Sequence, residues 1–149
     1  MRISTKVECG LIVIIDIALN SENGEVVALY NIAQRRNISI KYLEQIVTSL
    51  RQRNIVKGLK GARGGYILSK PPEQITVKEI VDAFDITLIS NEIPEISGGD
   101  GEMTSLINDM LWDKLERYLD EFTSSITLRD LAETYKNRLA ATKEPMYYI

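Results

Sequence analysis

The chain of 149 residues is 44% apolar, which suits one domain with its own core, or a domain that carries an oligomerisation element. A single cysteine and the lack of histidine exclude an intrachain disulfide and argue against a zinc site. Residues 1–70 carry a net charge of +6 and residues 71–149 one of −9, so the overall charge of −3 conceals a basic amino-terminal half.

The first helix is predicted to begin at Thr5, because Thr5 and Glu8 have the spacing of a capping box. Its apolar run, residues 11–19, contains Asp16 and is too short to span a bilayer, so we expect a buried helix of a soluble, cytoplasmic protein. Cys9 lies one turn into this helix. Its thiol is either a redox sensor or a core filler, and the sequence favours the filler.

Residues 29–54 have the spacing of a helix-turn-helix unit. Apolar residues at steps of three and four predict a short helix that ends near Arg36 and a longer one that Ser39 caps and Asn54 ends. Residues 37–38 form the tight turn between them. The apolar stripe of the longer helix is expected to face a core, and it consists of Ile40, Leu43, Ile46, Val47 and Leu50.

The residue pattern changes to alternation after Asn54. Residues 55–60 and 66–68 predict two strands joined by a glycine-rich turn at 61–65, and residues 26–27 a short strand that pairs with them. Eight basic residues and one acid, Glu44, lie between positions 35 and 63. A polar helix followed by a basic hairpin is typical of a recognition helix and wing that bind DNA, although a basic face that is merely solvated is the alternative.

The stretch STK near the start and the later stretch ISIKYLEQIVTSLRQRNIVKGLKGARGGYILSKPPEQITVKEIVDAFD resemble the Rrf-type family of bacterial winged-helix repressors. This family includes an iron–sulfur cluster regulator and a cysteine-metabolism repressor. The resemblance implies a mainly α fold with a small β-wing and a long dimerisation helix. It divides the chain into a winged helix-turn-helix domain (1–86), a loop (87–101) and a segment holding the dimerisation helix, a final helix and the tail (102–149).

The resemblance also implies a homodimer that binds a pseudo-palindromic operator in double-stranded DNA. Contacts are expected from the polar face of the longer helix and from the wing: Ser39, Lys41, Tyr42, Glu44, Gln45, Thr48, Arg51, Lys60 and Arg63. Three of these, Ser39, Tyr42 and Glu44, match positions that the family uses. Glu44 either reads a base or pairs with Lys41 or Arg51. Glycines in the turn are expected to let the wing backbone approach the sugar–phosphate edge.

Three further helices are predicted. Thr76 and Glu79 form a capping box before a helix that reaches Phe84. Residues 102–123 hold an apolar stripe over six turns, which the resemblance assigns to dimerisation and which sequence alone would slightly favour as an intrachain core: Met103, Leu106, Ile107, Met110, Leu111, Leu115, Leu119 and Phe122. Thr127 and Asp130 cap a last helix that could fold back on the long one.

In many relatives the loop holds three cysteines that ligate an iron–sulfur cluster. None is present here, so we expect no cluster and no other cofactor or metal. The second half of the chain resembles the branch of the family that represses cysteine-metabolism genes without a cluster. The resemblance to that branch implies that cysteine synthase is a partner, and that the active site of the synthase would accept the carboxyl-terminal residues Tyr148 and Ile149.

Three alternatives stay open at this stage. The tail could dock on its own subunit, the chain could be a divergent family member that answers another signal, or its winged helix could bind protein instead of DNA. An enzyme is not expected, because the sequence offers no histidine, no pairing of a nucleophile with a base, and no nucleotide-type phosphate loop.

Overall fold

The computed structural model of the chain describes residues 3–84 and 101–143. These residues form a mainly helical fold with one two-stranded antiparallel sheet, as the sequence predicted. In chain order the elements are α1 (Thr5–Asn20), α2 (Leu29–Arg36), α3 (Ile40–Gln52), β1 (Val56–Leu59), β2 (Gly65–Leu68), a 3-10 turn (Pro72–Gln74), α4 (Val77–Asp82), α5 (Gly101–Ile107), a π-turn (Asn108–Trp112), α6 (Asp113–Ser125) and α7 (Leu128–Lys143).

Side-chain caps start most of these helices. The oxygen of Ser39 accepts from the backbone N–H of Tyr42 at 3.2 Å, and Thr76 caps α4 in the same way. Thr127 and Asp130 cap α7 reciprocally, with bonds of 3.1 and 2.9 Å. Helix α1 begins at Thr5 as predicted, but its cap is Ser4, whose hydroxyl oxygen accepts from the Lys6 N–H at 3.2 Å.

The turn between α2 and α3 depends on Asn37, which adopts the left-handed conformation with φ of 53°. Asn54 does the same with φ of 56° where α3 gives way to β1. Asparagine tolerates this region better than most residues. Both predicted breaks are therefore confirmed.

The core lies between α1, α3 and α4 and includes Leu43, Ile46 and Leu50 of the predicted stripe, all fully buried. Ile40 does not belong to it. This residue is 43% exposed, because it lies at the edge of the stripe in the first turn of α3, before the helix reaches the core. In α1, Gly10 allows close packing, since an added methyl group would lie 2.3 Å from the Phe84 ring.

The hairpin pairs β1 with β2 from Val56 opposite Leu68 to Leu59 opposite Gly65. A single bridge joins Val27 to Tyr66, so the short strand predicted at residues 26–27 reduces to one residue pair. Two of the glycines in and beside the turn are needed because the backbone packs closely against them. A side chain at Gly65 would strike the Val27 carbonyl oxygen at 2.4 Å, and one at Gly64 would strike that of Leu59 at 2.5 Å.

The carboxyl-terminal helix packs on the amino-terminal half. Residues 75–77 pair with residues 126–128, with the Leu128 N–H donating to the Ile75 carbonyl at 2.8 Å. Leu128 and Ala132 then join the core, and α7 packs on α1 and the 3-10 turn. The expected fold-back of α7 on the long helix was wrong, because this strand-like pairing directs α7 towards α1 instead.

The long helix holds a π-turn that the sequence reading missed. On an uninterrupted α-helix, the apolar residues of α5 and those of α6 would lie on different sides, because each residue turns the helix by about 100°. A π-turn closes on i→i+5 and holds one more residue than an α-turn. The turn at Asn108–Trp112 therefore rotates α6 back by about that angle and places both sets on one face.

Candidate nucleic-acid interface

The outer face of α3 forms a polar stripe that no other part of the described chain covers. Lys41, Glu44, Gln45 and Thr48 are three or four residues apart and so lie along one side of the helix. Lys41, Glu44 and Gln45 are exposed, and Thr48 is half-buried. The buried stripe on the opposite side fixes the helix on α1, so its polar stripe projects from a rigid support.

Some of the predicted contact residues also serve the protein itself. Ser39 caps α3, and the Thr48 hydroxyl donates to the Glu44 carbonyl at 2.6 Å. Tyr42 lies on the flank of the helix and packs partly against the core near Cys9. Burial, and then Cys9, raise the pKa of the Tyr42 phenol. Cys9 is half-buried against the same core, in agreement with its reading as a filler.

The wing adds exposed cations next to α3. Lys57, Lys60 and Arg63 are exposed on the hairpin. Arg51 at the end of α3 and Lys60 on the wing line one notch of about 260 Å³, together with Gly58, Leu59, Gly65 and Tyr66. The structure thus brings the carboxyl-terminal end of the helix and the wing into a single basic surface.

Five cations of this surface form no ion pair with an acid within residues 3–84 and 101–143: Lys41, Arg51, Lys57, Lys60 and Arg63. Glu44 likewise has no ion-pair partner there, so the pairing with Lys41 or Arg51 that the sequence left open is not formed. Its carboxylate remains available to an external donor. The positive charges of this surface attract phosphates. The affinity of the protein for DNA would therefore fall as the salt concentration rises, because salt ions compete for the same phosphates.

Two of the eight cations counted in the sequence belong elsewhere. Arg35 donates two hydrogen bonds to the Asp16 carboxylate at 2.7 and 3.1 Å, and Arg36 donates a third at 2.7 Å. Asp16 is fully buried in α1. These arginines therefore neutralise a buried charge and fasten α2 to α1. An acid inside the apolar run 11–19 was the signal that could have predicted this network.

The same network reaches the carboxyl-terminal helix. Arg36 donates to the Tyr135 hydroxyl at 3.2 Å, and its guanidinium carbon lies 5.5 Å from the ring centroid. Burial raises the pKa of Asp16, but the hydrogen bonds and charges of Arg35 and Arg36 outweigh that effect, so its pKa lies below the ordinary value. Asp16 is thus held as an anion that joins α1, α2 and, through Arg36, α7.

The donor set does not fit an iron–sulfur cluster. Clusters need several thiolates, and the only cysteine of the sequence, Cys9, packs against the core in α1. No group of three or more metal-ligating side chains occurs in the part of the chain that the structure describes. The predicted cluster-loop region lies almost wholly outside that part, so its role stays a prediction.

The predicted dimerisation stripe is placed on the long helix. Leu119 is half-buried and the other seven residues of the set are exposed, with Met103 at 64% and Phe122 at 62%. Lys78 of α4 pairs with Asp120 at 3.2 Å and helps to hold α6 on the amino-terminal half. Hydrogen bonds from Lys78 to Asp82 and Asp120 raise the pKa of its ammonium group.

A helix-turn-helix unit, a polar second helix and a basic hairpin together define a winged-helix DNA-binding protein. Residues 3–134 match the model of the Rrf2 family, described as iron-dependent transcriptional regulators. The chain belongs to this family, and it is a DNA-binding transcriptional regulator and not an enzyme.

Three similar proteins illustrate the relationship. The HTH-type transcriptional regulator IscR of Cronobacter sakazakii is 36% identical over 131 residues, which cover 88% of this chain and 80% of that protein. The structure of CymR, described as the global cysteine regulator of B. subtilis, has a TM-score of 0.71 and 32% identity, over 90% of this chain and 98% of CymR. The structure of T. potens IscR has a TM-score of 0.67 and 30% identity, over 100% of this chain and 93% of that one.

Among the described residues, none of the helices combines the length and apolarity that crossing a bilayer requires.

Proposed function

We propose that the chain is a dimeric, sequence-specific repressor that acts in the cytoplasm on genes of cysteine and sulfur metabolism, without an iron–sulfur cluster. One observation carries the DNA-binding part: the polar stripe of α3 and the wing form one surface on which Lys41, Arg51, Lys57, Lys60 and Arg63 form no ion pair with an acid of the described chain. The exposed apolar stripe of the long helix supports the dimer.

In this proposal the dimer lays two copies of α3 in successive major grooves, about 34 Å apart on one face of the duplex. Lys41 contacts a phosphate or guanine. Gln45 bonds an adenine twice: its amide NH2 donates to N7 and its amide oxygen accepts from the N6 amine. Glu44 accepts a hydrogen bond from a cytosine amine. The wing, with Lys60 and Arg63, follows the adjacent minor groove, while Arg51 at the notch holds the backbone between them.

The cysteine assignment depends on similarity and on composition. CymR, one of the similar structures, is described as a global cysteine regulator, and a chain with one cysteine lacks the ligands for cluster sensing. The signal would instead arrive through a protein partner. The proposed partner is cysteine synthase, which would bind the tail residues Tyr148 and Ile149, both outside the described residues.

The tail proposal predicts that removing Tyr148 and Ile149 abolishes binding to cysteine synthase, because the isoleucine side chain that the active site would accept is lost. Calorimetry with the purified synthase measures this. DNA binding by the shortened chain serves as the control and is expected to be unchanged. A complex of undiminished affinity would refute the role of the tail.

The DNA surface is tested by a matched pair of substitutions on α3. Lys41→Ala should weaken binding to all duplexes and reduce the slope of log K against log salt by about one, because a phosphate contact is lost. Gln45→Ala should leave the slope unchanged and weaken preferred sites by about 1–3 kcal/mol more than random duplexes. Fluorescence anisotropy over a salt series measures both.

Lys114→Ala on α6 is the control, since it removes one exposed lysine from a helix outside the DNA surface. An unchanged slope for Lys41→Ala would remove Lys41 from the phosphate contacts. An equal loss of affinity at every duplex for Gln45→Ala would exclude base reading by Gln45.

A further inference from the structure

A cleft of about 550 Å³ lies on the side of the protein where the wing base meets the last helix. Its apolar part consists of Ala18 from α1, Ile67 and Leu68 from β2, Pro71 and Pro72 from the segment after the wing, and Ala132 from α7. Clefts of this volume are large enough to bury a small molecule. Three separate elements, α1, the wing and α7, therefore meet at one apolar surface.

Charged side chains of both signs surround this apolar surface. Glu22, after α1, forms an ion pair with Lys136 of α7, and both side chains are about half exposed (50% and 47%). Arg129 of α7 pairs with Glu133 one turn further on, and Glu73 also acts on its charge. Lys70 is the third base of the lining, which therefore holds three acids and three bases. A simple anion or cation that enters the cleft would leave one charge without a counter-charge.

A molecule that carries one charge of each sign avoids this penalty. Its ammonium group can replace Lys136 as the partner of Glu22, and its carboxylate can replace Glu22 as the partner of Lys136. An apolar side chain on the same molecule would then cover Leu68 and the adjacent prolines and be removed from water. The charge arrangement and the apolar surface together describe a free α-amino acid.

The cleft is lined by one DNA-binding element, the wing, and lies beside a contact that α7 makes with the other, the helix-turn-helix unit. Leu68 belongs to the strand that forms the wing. Lys136 is next in sequence to Tyr135, which accepts the hydrogen bond from Arg36 of α2. A ligand that displaces Lys136 from Glu22 would therefore act on α7 beside its contact with the helix-turn-helix unit, and on the base of the wing at the same time.

We propose that this cleft is a binding site for a small zwitterion with an apolar side chain, of the free α-amino acid class, and that its occupation changes affinity for DNA. The binding part is independent of the proposed function, whereas the effect on DNA rests on it. Binding to the chain alone and DNA affinity are therefore measured separately, so that failure of one is distinguishable from failure of the other.

The test uses the full chain and the twenty L-amino acids, each titrated by calorimetry up to about 10 mM, a range that detects even weak binding. At least one apolar amino acid should bind with saturation. Its amide, which lacks the carboxylate, and its N-acetyl derivative, which lacks the ammonium group, should each bind at least about tenfold more weakly. The same amino acid should change the affinity of the chain for its DNA.

Glu22→Gln and Lys136→Met should each raise the dissociation constant of the amino acid at least about tenfold. Because both side chains are half exposed, these variants should remain folded, which circular dichroism checks. Lys78→Met, which removes the ion pairs with Asp82 and Asp120 outside the cleft, should change the constant less than about twofold. No saturable binding by any amino acid, equal binding by the amide, or unchanged binding by both cleft variants would overturn the site.

Discussion

Helix α3 and the helix formed by α5, the π-turn and α6 carry the same kind of apolar stripe, yet only one of them is covered. In α3 the residues Leu43, Ile46 and Leu50 are fully buried by α1 and the rest of the core. In the long helix Met110 and Phe122 are 57% and 62% exposed. An amphipathic pattern therefore indicates that a helix packs on something, but the partner can lie in the same chain or outside it.

This difference agrees with the two roles that we propose, DNA binding by the amino-terminal unit and dimerisation by the long helix. The amino-terminal unit, with Leu128 and Ala132 of α7, forms a core within the chain and presents a polar stripe to DNA. The long helix leaves a contiguous apolar face, of a kind that monomeric proteins rarely expose. A second copy of the chain would cover this face and set the distance between the two α3 helices.

The largest expected effects come from placing a charge in each stripe. Leu43→Glu should destabilise the fold by about 5 kcal/mol or more, because the carboxylate would be buried without a partner. Leu106→Glu should leave the thermal transition of the isolated chain nearly unchanged but raise the dimer dissociation constant at least about 100-fold, about 2.7 kcal/mol. Thermal denaturation and analytical ultracentrifugation separate the two outcomes.

Ser105→Glu is the matched control for Leu106→Glu, since it adds the same charge to the adjacent exposed position on the polar side of α5. It should leave the dimer intact. A Leu106→Glu chain that still dimerises with full affinity would show that the exposed stripe is not the dimer interface.

A smaller effect on stability is expected in the amino-terminal unit, where Arg35 and Arg36 bind the fully buried carboxylate of Asp16. Asp16→Asn should cost about 2 kcal/mol at neutral pH, less than a fully buried ion pair because Arg35 and Arg36 are partly exposed. Chemical denaturation measures it, with Asp82→Asn as the control at an exposed ion pair, expected to cost about 0.5 kcal/mol or less.

The pH dependence of this effect follows from the direction of the pKa shift. Because the folded-state pKa of Asp16 lies below its unfolded value, the stabilisation is complete above about pH 4 and is lost as the pH falls through the folded-state pKa. The difference between wild type and Asp16→Asn should therefore shrink on acidification below pH ~4. A difference that stays constant down to about pH 2 would contradict the ionised network.

The π-turn distinguishes the long helix from α3, which has no such interruption. Deleting Asp109 would allow a continuous α-helix and turn the α6 part of the stripe away from the α5 part by about 100°. The dimer should then weaken about tenfold or more, about 1.4 kcal/mol. Ultracentrifugation measures the change, and Asp109→Ala, which keeps the residue count, should leave the dimer unchanged.

Local signals were enough to predict most of the fold. Caps such as Ser39 and Thr76, and breaks such as Asn37 and Asn54, act within a few residues, so the sequence displays them directly. Ile40 fits the apolar period and was assigned to the core, but its exposure depends on which neighbours reach the first turn of α3. Whether a residue at the end of a helix is buried depends on the tertiary packing around it and not on the local sequence.

The rest required contacts between distant positions. Arg35 and Arg36 look like members of the basic surface, and only their distance from Asp16, about twenty residues earlier, shows that they bind an internal charge. The pairing of residues 75–77 with 126–128, which brings α7 to α1, leaves no periodic signature. The polar stripe of α3 was predictable because its residues are close in sequence, whereas the notch between Arg51 and Lys60 depends on the fold of the wing.

The central claim is that two copies of the chain bind one duplex through paired α3 helices, and selection of bound fragments from genomic DNA tests it most directly. The recovered fragments should share an inverted repeat, bind two chains each, and exceed random duplexes in affinity by about a thousandfold or more at a fixed salt concentration. Recovery of fragments without a shared repeat, or saturation with one chain per duplex, would contradict the account.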